Sequence, residues 1–151
     1  MRSLILFAAL LLFAFVTACQ QENDPQPQLI TRTDSLKAML SGTWQSAQIV
    51  SNRYTDDVFQ NQEQRESIET YSFGKAGDFQ LKQGDFAIKG DWTLNRSGNE
   101  LNVTTPSGDL LQWQVAELSE ERLILFSSQT TIVSEQAHRL ETTVVCDKIQ
   151  F

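Results

Sequence analysis

The chain has 151 residues, of which 40% are hydrophobic, and a formal net charge of −7 at pH 7. An acidic chain without a Lys/Arg cluster argues against nucleic acid and against anionic membrane surfaces as binding partners. The length corresponds to one domain with a sizeable hydrophobic core.

The N-terminal segment has the features of an export signal. Arg2 supplies a positive charge, and residues 4–16 form an unbroken apolar run. This run is shorter than the ~20 residues that a transmembrane helix needs, and its length is typical of the hydrophobic region of a signal peptide. The sequence Val-Thr-Ala before Cys19 resembles the bacterial lipobox, whose cysteine receives a diacylglyceryl group and becomes the new N-terminus. The alternative is an ordinary secreted protein with a cysteine near its cleavage site.

These features divide the chain into three predicted parts. Residues 1–18 are predicted to be a lipoprotein signal peptide, 19–32 a lipidated N-terminus with a flexible tether, and 33–151 the folded domain. Residues 20–29 are polar and contain two prolines, which is typical of a linker. Removal of the signal peptide takes away one charged residue, Arg2, so the mature chain carries a formal charge of −8.

Anchoring then depends on lipid rather than on protein charge, because the chain is acidic. Stable attachment takes more than one acyl chain, such as the diacylglyceryl group and palmitate of a bacterial lipoprotein. Glu22 and Asp24, just after Cys19, loosely resemble the surface-export signal of lipoproteins in the Bacteroidetes. The predicted location is therefore the cell envelope, with the protein lipid-anchored to the outer membrane on its periplasmic face or at the cell surface.

After the tether, the pattern predicts one short helix followed by eight strands. Asp34 caps the helix, which runs to Leu40 and is ended by Gly42. The clearest strand is Phe86–Leu94, where apolar residues on one face alternate with mostly polar residues on the other. The eight predicted strands are residues 43–50, 67–73, 78–82, 86–94, 100–104, 110–118, 122–127 and 138–146.

Eight consecutive strands with mostly short connections favour an antiparallel up-and-down β-barrel, since closure leaves no exposed sheet edge. A two-sheet sandwich is the alternative. In a barrel, alternate loops share one end, and the two longest predicted loops, 51–66 and 128–137, fall at the same end. Tyr54 and Phe59 in the first loop are predicted to cover that open end as a lid, or else to pack on the rim as ordinary core.

The sequence offers no recognisable catalytic or metal site. His138 is the single histidine, so no histidine pair is available to hold a metal. Cys146 is the remaining cysteine once Cys19 carries lipid, and its alternating apolar context is typical of a small buried hydrophobe. The neighbouring acids Asp56 and Asp57 lack the spacing of an acid/base pair. We therefore predict no enzyme activity, no cofactor and no bound metal.

The start of the first strand carries a family resemblance. Gly42-Thr43-Trp44 follows the short helix, and aromatic and glycine residues at 71–77 and 90–94 continue the pattern. Together with the lipobox, this arrangement resembles the lipocalin-like domains of Bacteroidetes lipoproteins, which belong to the lipocalin/calycin superfamily. The resemblance implies that Gly42 and Trp44 close the bottom of an eight-stranded barrel.

Two features depart from that family pattern. Residues 119–121 lack the Thr-Asp-Tyr type of turn found between the sixth and seventh strands of typical lipocalins. No arginine obviously ends the eighth strand to cover the tryptophan. Lys148 and Arg122 are the cations closest to that end, and either one lies over Trp44 or both are solvated surface cations.

Two functional classes remain. The first is binding of a small hydrophobic or lipid-like molecule inside a hollow barrel, since no charged residue can be assigned to its interior. The second is a protein-interaction module, such as an enzyme inhibitor or a subunit of an envelope complex, with a filled barrel and no small ligand. For the first class, the predicted ligand-binding residues are Tyr54, Phe59, Phe79, Phe86, Ile88, Trp92 and Trp113.

Overall fold

A computed structural model describes residues 32–150 of the chain. The predicted signal peptide, Cys19 and almost all of the predicted tether lie outside the described residues. The helix α1 (Arg32–Leu40) comes first and begins at the last residue of the predicted tether. Nine antiparallel strands follow: β1 (Gly42–Thr55), β2 (Val58–Arg65), β3 (Glu69–Phe73), β4 (Asp78–Gln83), β5 (Phe86–Leu94), β6 (Glu100–Thr104), β7 (Leu110–Leu118), β8 (Arg122–Val133) and β9 (Gln136–Lys148).

The nine strands form a closed barrel with eight positions. Pairing between β1 and β9 closes the sheet. On its other side β1 pairs with β3 through residues 42–45 and with β2 through residues 49–55, so β2 and β3 share one position. The structure confirms the prediction of an eight-stranded antiparallel up-and-down barrel with one short N-terminal helix in the described residues, and the sandwich alternative is wrong.

The prediction of two long loops at one end of the barrel is wrong. Most of residues 51–66 and 128–137 form β-hairpins instead, in which β1 turns into β2 and β8 turns into β9. The four central turn residues all have positive φ: Asp56 (50°), Asp57 (63°), Ser134 (51°) and Glu135 (69°). Two consecutive positive φ values are the geometry of a type I′ turn, which suits the twist of a hairpin. The sequence analysis missed these strands because their side chains are exposed on both faces and show no apolar alternation.

The two hairpins lie side by side and extend the barrel wall at one end. We call this extension the platform; it consists of β2, residues 50–55 of β1, 127–133 of β8 and 136–143 of β9. The backbone N–H of Asp56 donates to the Ala137 carbonyl at 2.8 Å, and the Ala137 N–H donates to Asp56 Oδ1 at 2.9 Å. These two hydrogen bonds tie the hairpin tips together. Pairing between β7 and β8 ends below the platform, so one of its edges stands free of the barrel.

Trp44 closes the opposite end of the barrel, as predicted. Its ring is fully buried, and its Nε1–H donates to the Leu40 carbonyl at 2.8 Å. Lys148 Nζ lies 4.8 Å from the ring centroid and donates to the Met39 carbonyl at 2.7 Å. Lys148 and Arg122 were the two cations considered for the contact with the Trp44 ring, and Lys148 is the one that makes it. The last turn of α1 and the end of β9 are therefore joined over the tryptophan.

The half of the barrel next to Trp44 is filled with side chains. Gly42 has a φ of +131°, and a Cβ at this position would lie 3.0 Å from Lys148 Cε, so glycine suits both the backbone and the space. The largest fully buried side chains are Trp44, Phe73, Leu40, Ile49, Leu101, Leu123, Leu125, Val103 and Cys146. No helix among residues 32–150 is long and apolar enough to cross a membrane.

Candidate functional site

The inward face of the barrel changes from apolar to polar at one level along three neighbouring strands. Toward the platform, β1 changes from Ile49 to Ser51, β8 from Leu125 to Ser127, and β9 from Val144 to Thr142. The register places each of these pairs side by side, so the change occurs at the same height on all three strands. Packed apolar core therefore ends at this level, and the open end of the barrel begins.

On the other side of the barrel, apolar inward residues continue past this level without being covered. Leu81, Leu111 and Trp113 pack against the buried core but stay partly exposed, and Ile88 lies beside Leu81 in the next strand. We call these four partly exposed side chains, together with the inward-facing side of the platform, the mouth. They are apolar inward residues at the platform end that the packed core does not fully cover.

A carboxylate lies at the floor of the mouth. Glu69 is only 8% exposed, and its backbone N–H donates to Ser46 Oγ at 2.8 Å. The Tyr71 hydroxyl donates to Glu69 Oε2 at 2.5 Å, and Gln83 Nε2–H donates to Glu69 Oε1 at 3.2 Å. The Ser46 hydroxyl in turn donates to the Ser67 carbonyl. A polar network thus lies across the barrel where the apolar core ends.

Burial controls the protonation of the groups around this network. It raises the pKa of the Tyr71 phenol far above its usual value, and the hydrogen bond and charge of Glu69 raise it further, although Arg65 acts in the opposite direction. Burial also raises the pKa of the Cys146 thiol to about 12, with smaller contributions from the charges of Glu69 and Asp147. Cys146 therefore stays a protonated thiol at neutral pH and lacks the thiolate that nucleophilic chemistry requires.

The platform gives the mouth a polar wall. A concavity of about 380 Å³ lies against it, and its lining includes Arg53, Gln129, Thr131, His138 and Leu140. The Arg53 side chain forms an exposed ion pair with Glu63 at 3.6 Å, and His138 Nδ1 lies 3.3 Å from the Thr55 hydroxyl. The wall therefore offers hydrogen-bond donors and acceptors to a polar part of a ligand.

The predicted lid residues do not lie over the mouth. Tyr54 and Phe59 pack edge to face, with ring centroids 5.8 Å apart, on the side of the platform that faces away from the barrel interior. The Arg139 guanidinium carbon lies 4.3 Å from the Tyr54 centroid, and its nitrogens lie 3.4 Å from Asp57 and 3.3 Å from Glu141. The pairing of β1 with β2 has a β-bulge at Arg53/Tyr54. Because the sequence predicted a loop here, it gave no indication of the bulge.

The other predicted ligand-binding residues are spread over three levels. Phe79 and Trp92 are 3% and 6% exposed and belong to the packed half, where the Trp92 indole N–H donates to the Gly74 carbonyl at 2.9 Å. Phe86 is 61% exposed at the rim. Trp113 and Ile88 line the mouth itself. The structure thus brings two of the seven predicted residues together there and leaves the other five elsewhere.

Glu69 is the mouth residue that the sequence analysis missed. It occupies the second inward position of the predicted strand 67–73, two and four residues before Tyr71 and Phe73, which are both buried. Because every second side chain of a strand lies on the same face, this spacing indicates that the Glu69 side chain points into the barrel. The expectation that no charge lies inside the barrel is wrong.

A larger concavity lies outside the barrel at its closed end. It measures about 540 Å³ between α1 and the turn before β4, with Lys37, Ala38, Lys75 and Ala76 in its lining. These four side chains are exposed and lie on a short helix and a turn rather than on paired strands. Within residues 32–150, no group of three or more His, Cys, Asp or Glu side chains is placed to hold a metal ion.

Comparisons with known proteins give solved structures of low similarity. No protein-family model matches the chain, and no curated protein matches it. A solved complex of LTBP1 with LTC4 is similar with 13% sequence identity and a TM-score of 0.42, covering 76% of this chain and 68% of that one. A mutant of LTBP1 in complex with leukotriene C4 is similar with 12% identity and a TM-score of 0.38, covering 70% and 66%. The chain thus spans about two thirds of each of these proteins.

The fold assignment rests on the barrel itself. Eight strand positions in up-and-down order, closed by β1 and β9, are the architecture of the lipocalin class of barrels. Barrels of this size either fill their interior with side chains or hold one small ligand. This chain does the first at the Trp44 end and leaves space at the platform end.

Proposed function

We propose that the chain is an envelope-anchored lipoprotein whose barrel binds a small, largely apolar molecule in the mouth. The observation that carries this proposal is the change in burial along single strands. On β5, the inward residue Trp92 is buried and Ile88 is partly exposed; on β4, Phe79 is buried and Leu81 is partly exposed. The strands of the barrel wall extend beyond the packed core. Their inward apolar side chains therefore stay partly exposed, and a ligand can cover them.

The energetics favour a ligand with a polar end. Covering the apolar side chains of the mouth contributes ~25 cal/mol per Å² before the costs of binding are subtracted. The platform wall carries Arg53, Gln129 and His138, and the floor carries Glu69. A few polar groups in an otherwise apolar concavity orient a ligand and give specificity. An amphipathic molecule therefore fits the mouth better than a pure hydrocarbon does.

The proposal predicts binding of a neutral apolar probe. The full chain carrying Cys19→Ser, which removes competing lipid, should enhance the fluorescence of N-phenyl-1-naphthylamine. Ile88→Asn should weaken binding by about tenfold, the effect of losing ~1.4 kcal/mol. Ala87→Asn is the matched control, because Ala87 is exposed on the outward face of the same strand. Equal binding by both variants, or no enhancement by the parent chain, would contradict a ligand site in the mouth.

The anchoring part of the proposal rests on the lipobox before Cys19. In cells labelled with a palmitate analogue, the natural chain should carry the label, and Cys19→Ser should abolish labelling and release or mislocalise the protein. Cys146→Ser is the control, since the Cys146 side chain is fully buried in the barrel. Mass spectrometry that finds an unmodified Cys19, or cleavage at another bond, would overturn this assignment.

We further propose a binding role rather than a catalytic one. Burial keeps the Cys146 thiol protonated, and His138 contacts a threonine hydroxyl rather than a carboxylate or a nucleophilic thiol. General acid/base or nucleophilic chemistry needs such groups within hydrogen-bond reach of one another. Hydrolytic turnover of an ester or amide substrate that is lost on His138→Ala would contradict this assignment.

Exposed apolar residues at the hairpin tips favour a protein-interaction module as the second candidate function. Val58 and Phe59 on one hairpin and Ile132 and Val133 on the other are 53–75% exposed. Exposed apolar patches of this kind mark interaction sites on soluble domains. This function predicts that Ile132→Asp abolishes a purified complex with an envelope protein while Ile88→Asn leaves it intact. A mouth that binds no probe, together with that result, would favour the second candidate over the first.

A further inference from the structure

The floor of the mouth holds a buried carboxylate without a counter-charge. Glu69 is 8% exposed and accepts hydrogen bonds from Tyr71 and Gln83, which are both neutral. It forms no ion pair within the part of the chain that the structure describes. Arg65 lies close enough to act electrostatically on Tyr71 but does not pair with Glu69. Buried charges are usually paired, because an isolated one is costly to remove from water.

The carboxylate has unused hydrogen-bonding capacity. Its two oxygens offer about four acceptor positions, and one donor reaches each oxygen. Gln83, which covers Oε1, is itself exposed at the mouth. A ligand group that enters from the mouth therefore meets the carboxylate on the side held by an exposed and flexible amide.

One aromatic ring lies beside the same carboxylate. The Tyr71 hydroxyl donates to Glu69, and the Tyr71 ring packs edge to face against Trp113 with centroids 6.5 Å apart. The Tyr71 ring is only 2% exposed, so it borders the carboxylate without offering a free face to a ligand. A carboxylate makes its strongest hydrogen bonds to charged donors. Glu69 therefore favours a positively charged group at this position.

From this geometry we infer that the mouth selects ligands that carry an ammonium group. Glu69 accepts hydrogen bonds from the ammonium group, and the apolar tail of the ligand covers Leu81, Ile88 and Leu111. This inference rests on the proposed function of the mouth and names the chemical class of its ligand. It also gives the buried carboxylate a role, since the ligand supplies the counter-charge that the protein lacks.

A set of three probes with the same alkyl chain tests the inference. Dodecylammonium, dodecan-1-ol and dodecanoate are titrated below their micellar concentrations into the full chain carrying Cys19→Ser, with calorimetry as the readout. The ammonium should bind about tenfold to a hundredfold more tightly than the alcohol, which is the contribution of a charge-assisted hydrogen bond. Dodecanoate should bind more weakly than the alcohol, because it places a second carboxylate near Glu69.

Two variants assign the preference to Glu69. Glu69→Gln should remove the advantage of the ammonium and leave binding of dodecan-1-ol unchanged. Gln83→Lys should have the same effect without altering Glu69, because its own ammonium group would occupy the carboxylate; Gln83 is exposed, so the fold should tolerate this change. Glu120→Gln is the control for general surface charge, since Glu120 is an exposed acid on the turn between β7 and β8 at the closed end of the barrel.

The outcomes separate this inference from the proposed function. Tight binding of dodecan-1-ol without an advantage for the ammonium would overturn the inference and leave the proposed function standing. Binding of none of the three probes would overturn both. An advantage for the ammonium that survives Gln83→Lys but disappears in Glu120→Gln would also overturn the inference, because it would then arise from surface charge. If Glu69→Gln does not fold, the Gln83→Lys result decides.

Discussion

The two ends of the barrel differ in how the inward face of each strand is covered. At the Trp44 end, α1 packs across the opening, and inward side chains from the strands fill the interior. At the platform end, the hairpins run past the core, and the inward face carries hydroxyl groups or half-exposed apolar residues. The same strands build both ends, so the difference comes from side-chain choice at successive inward positions. Stability should depend on the first end and binding on the second.

The largest expected effect is on stability at the Trp44 end. Trp44→Ala should lower the free energy of unfolding by ~3–5 kcal/mol, because it leaves a cavity and removes a buried ring. Ile88→Ala at the mouth should cost clearly less, since Ile88 is already partly exposed. Denaturant titrations of the two variants compare the ends directly. Equal losses would show that the mouth is packed as tightly as the closed end.

The next effect is a loss of stability at alkaline pH. The pKa of the Cys146 thiol is raised to about 12 in the folded protein, against about 8.5 for an unperturbed cysteine. The unfolded state therefore releases the proton first, and stability falls as the pH rises from about 8.5 toward 12. At pH 10.5 the loss attributable to this thiol should be about 3 kcal/mol.

Comparing two variants isolates the thiol from other titrating groups. Urea titrations at pH 7.5 and pH 10.5 should show a smaller loss for Cys146→Ala than for the parent chain. Tyr71 also has a raised pKa, which comes first from burial and Glu69, with a smaller contribution from Cys146. An identical loss in the two proteins would mean that Cys146 is accessible to solvent rather than buried.

A smaller effect is expected at the contact that holds α1 to the barrel. Lys148→Met should cost about 1–2 kcal/mol, because it removes both the cation from the Trp44 ring and a hydrogen bond to the Met39 carbonyl. Thermal unfolding of this variant beside Lys75→Met, an exposed lysine on a turn, checks the assignment. We expect the Lys148 variant to unfold at the lower temperature. The reverse order would contradict a stabilising role for the Lys148 contact.

The smallest effect is expected on the platform. Arg53→Gln removes an exposed ion pair with Glu63 and should change the free energy of unfolding by less than about 0.5 kcal/mol. A loss above about 1 kcal/mol would show that the platform contributes to the cooperative core.

The sequence predicts the closed end better than the open end, for a physical reason. Strands that pack on a core, such as Phe86–Leu94, alternate apolar and polar residues, and this alternation is visible in the sequence. The end of the barrel is filled by a large aromatic ring, Trp44, which is also recognisable in the sequence. Residues 58–65 are exposed on both faces and need no alternation, so nothing in their composition separates a strand from a loop. The bulge opposite Arg53/Tyr54, where Gln60 has no partner, then turns Phe59 to the outward face that Tyr54 already occupies.

The candidate site was harder to predict than the fold because it depends on how each side chain is packed. Trp113 and Ile88 are at the mouth and Phe79 and Trp92 are in the core, although all four are apolar and inward-facing. Trp113 stays partly exposed even though Leu101, its partner on β6, is fully buried, and residue type alone does not reveal this difference. The alternation of side chains along β3 indicates that Glu69 points inward, but its hydrogen-bond partners can be identified only in the structure.

The central claim, that the mouth rather than the closed end receives a ligand, can be tested by an amide chemical-shift map. The full chain carrying Cys19→Ser is titrated with N-phenyl-1-naphthylamine, and backbone shifts are followed by NMR. We expect shifts to concentrate at residues 81–88, 111–113 and 127–129 and to be small at the closed end, at residues 42–45 and 123–125. Shifts that concentrate around α1 and residues 74–77, or an absence of saturable shifts, would contradict it.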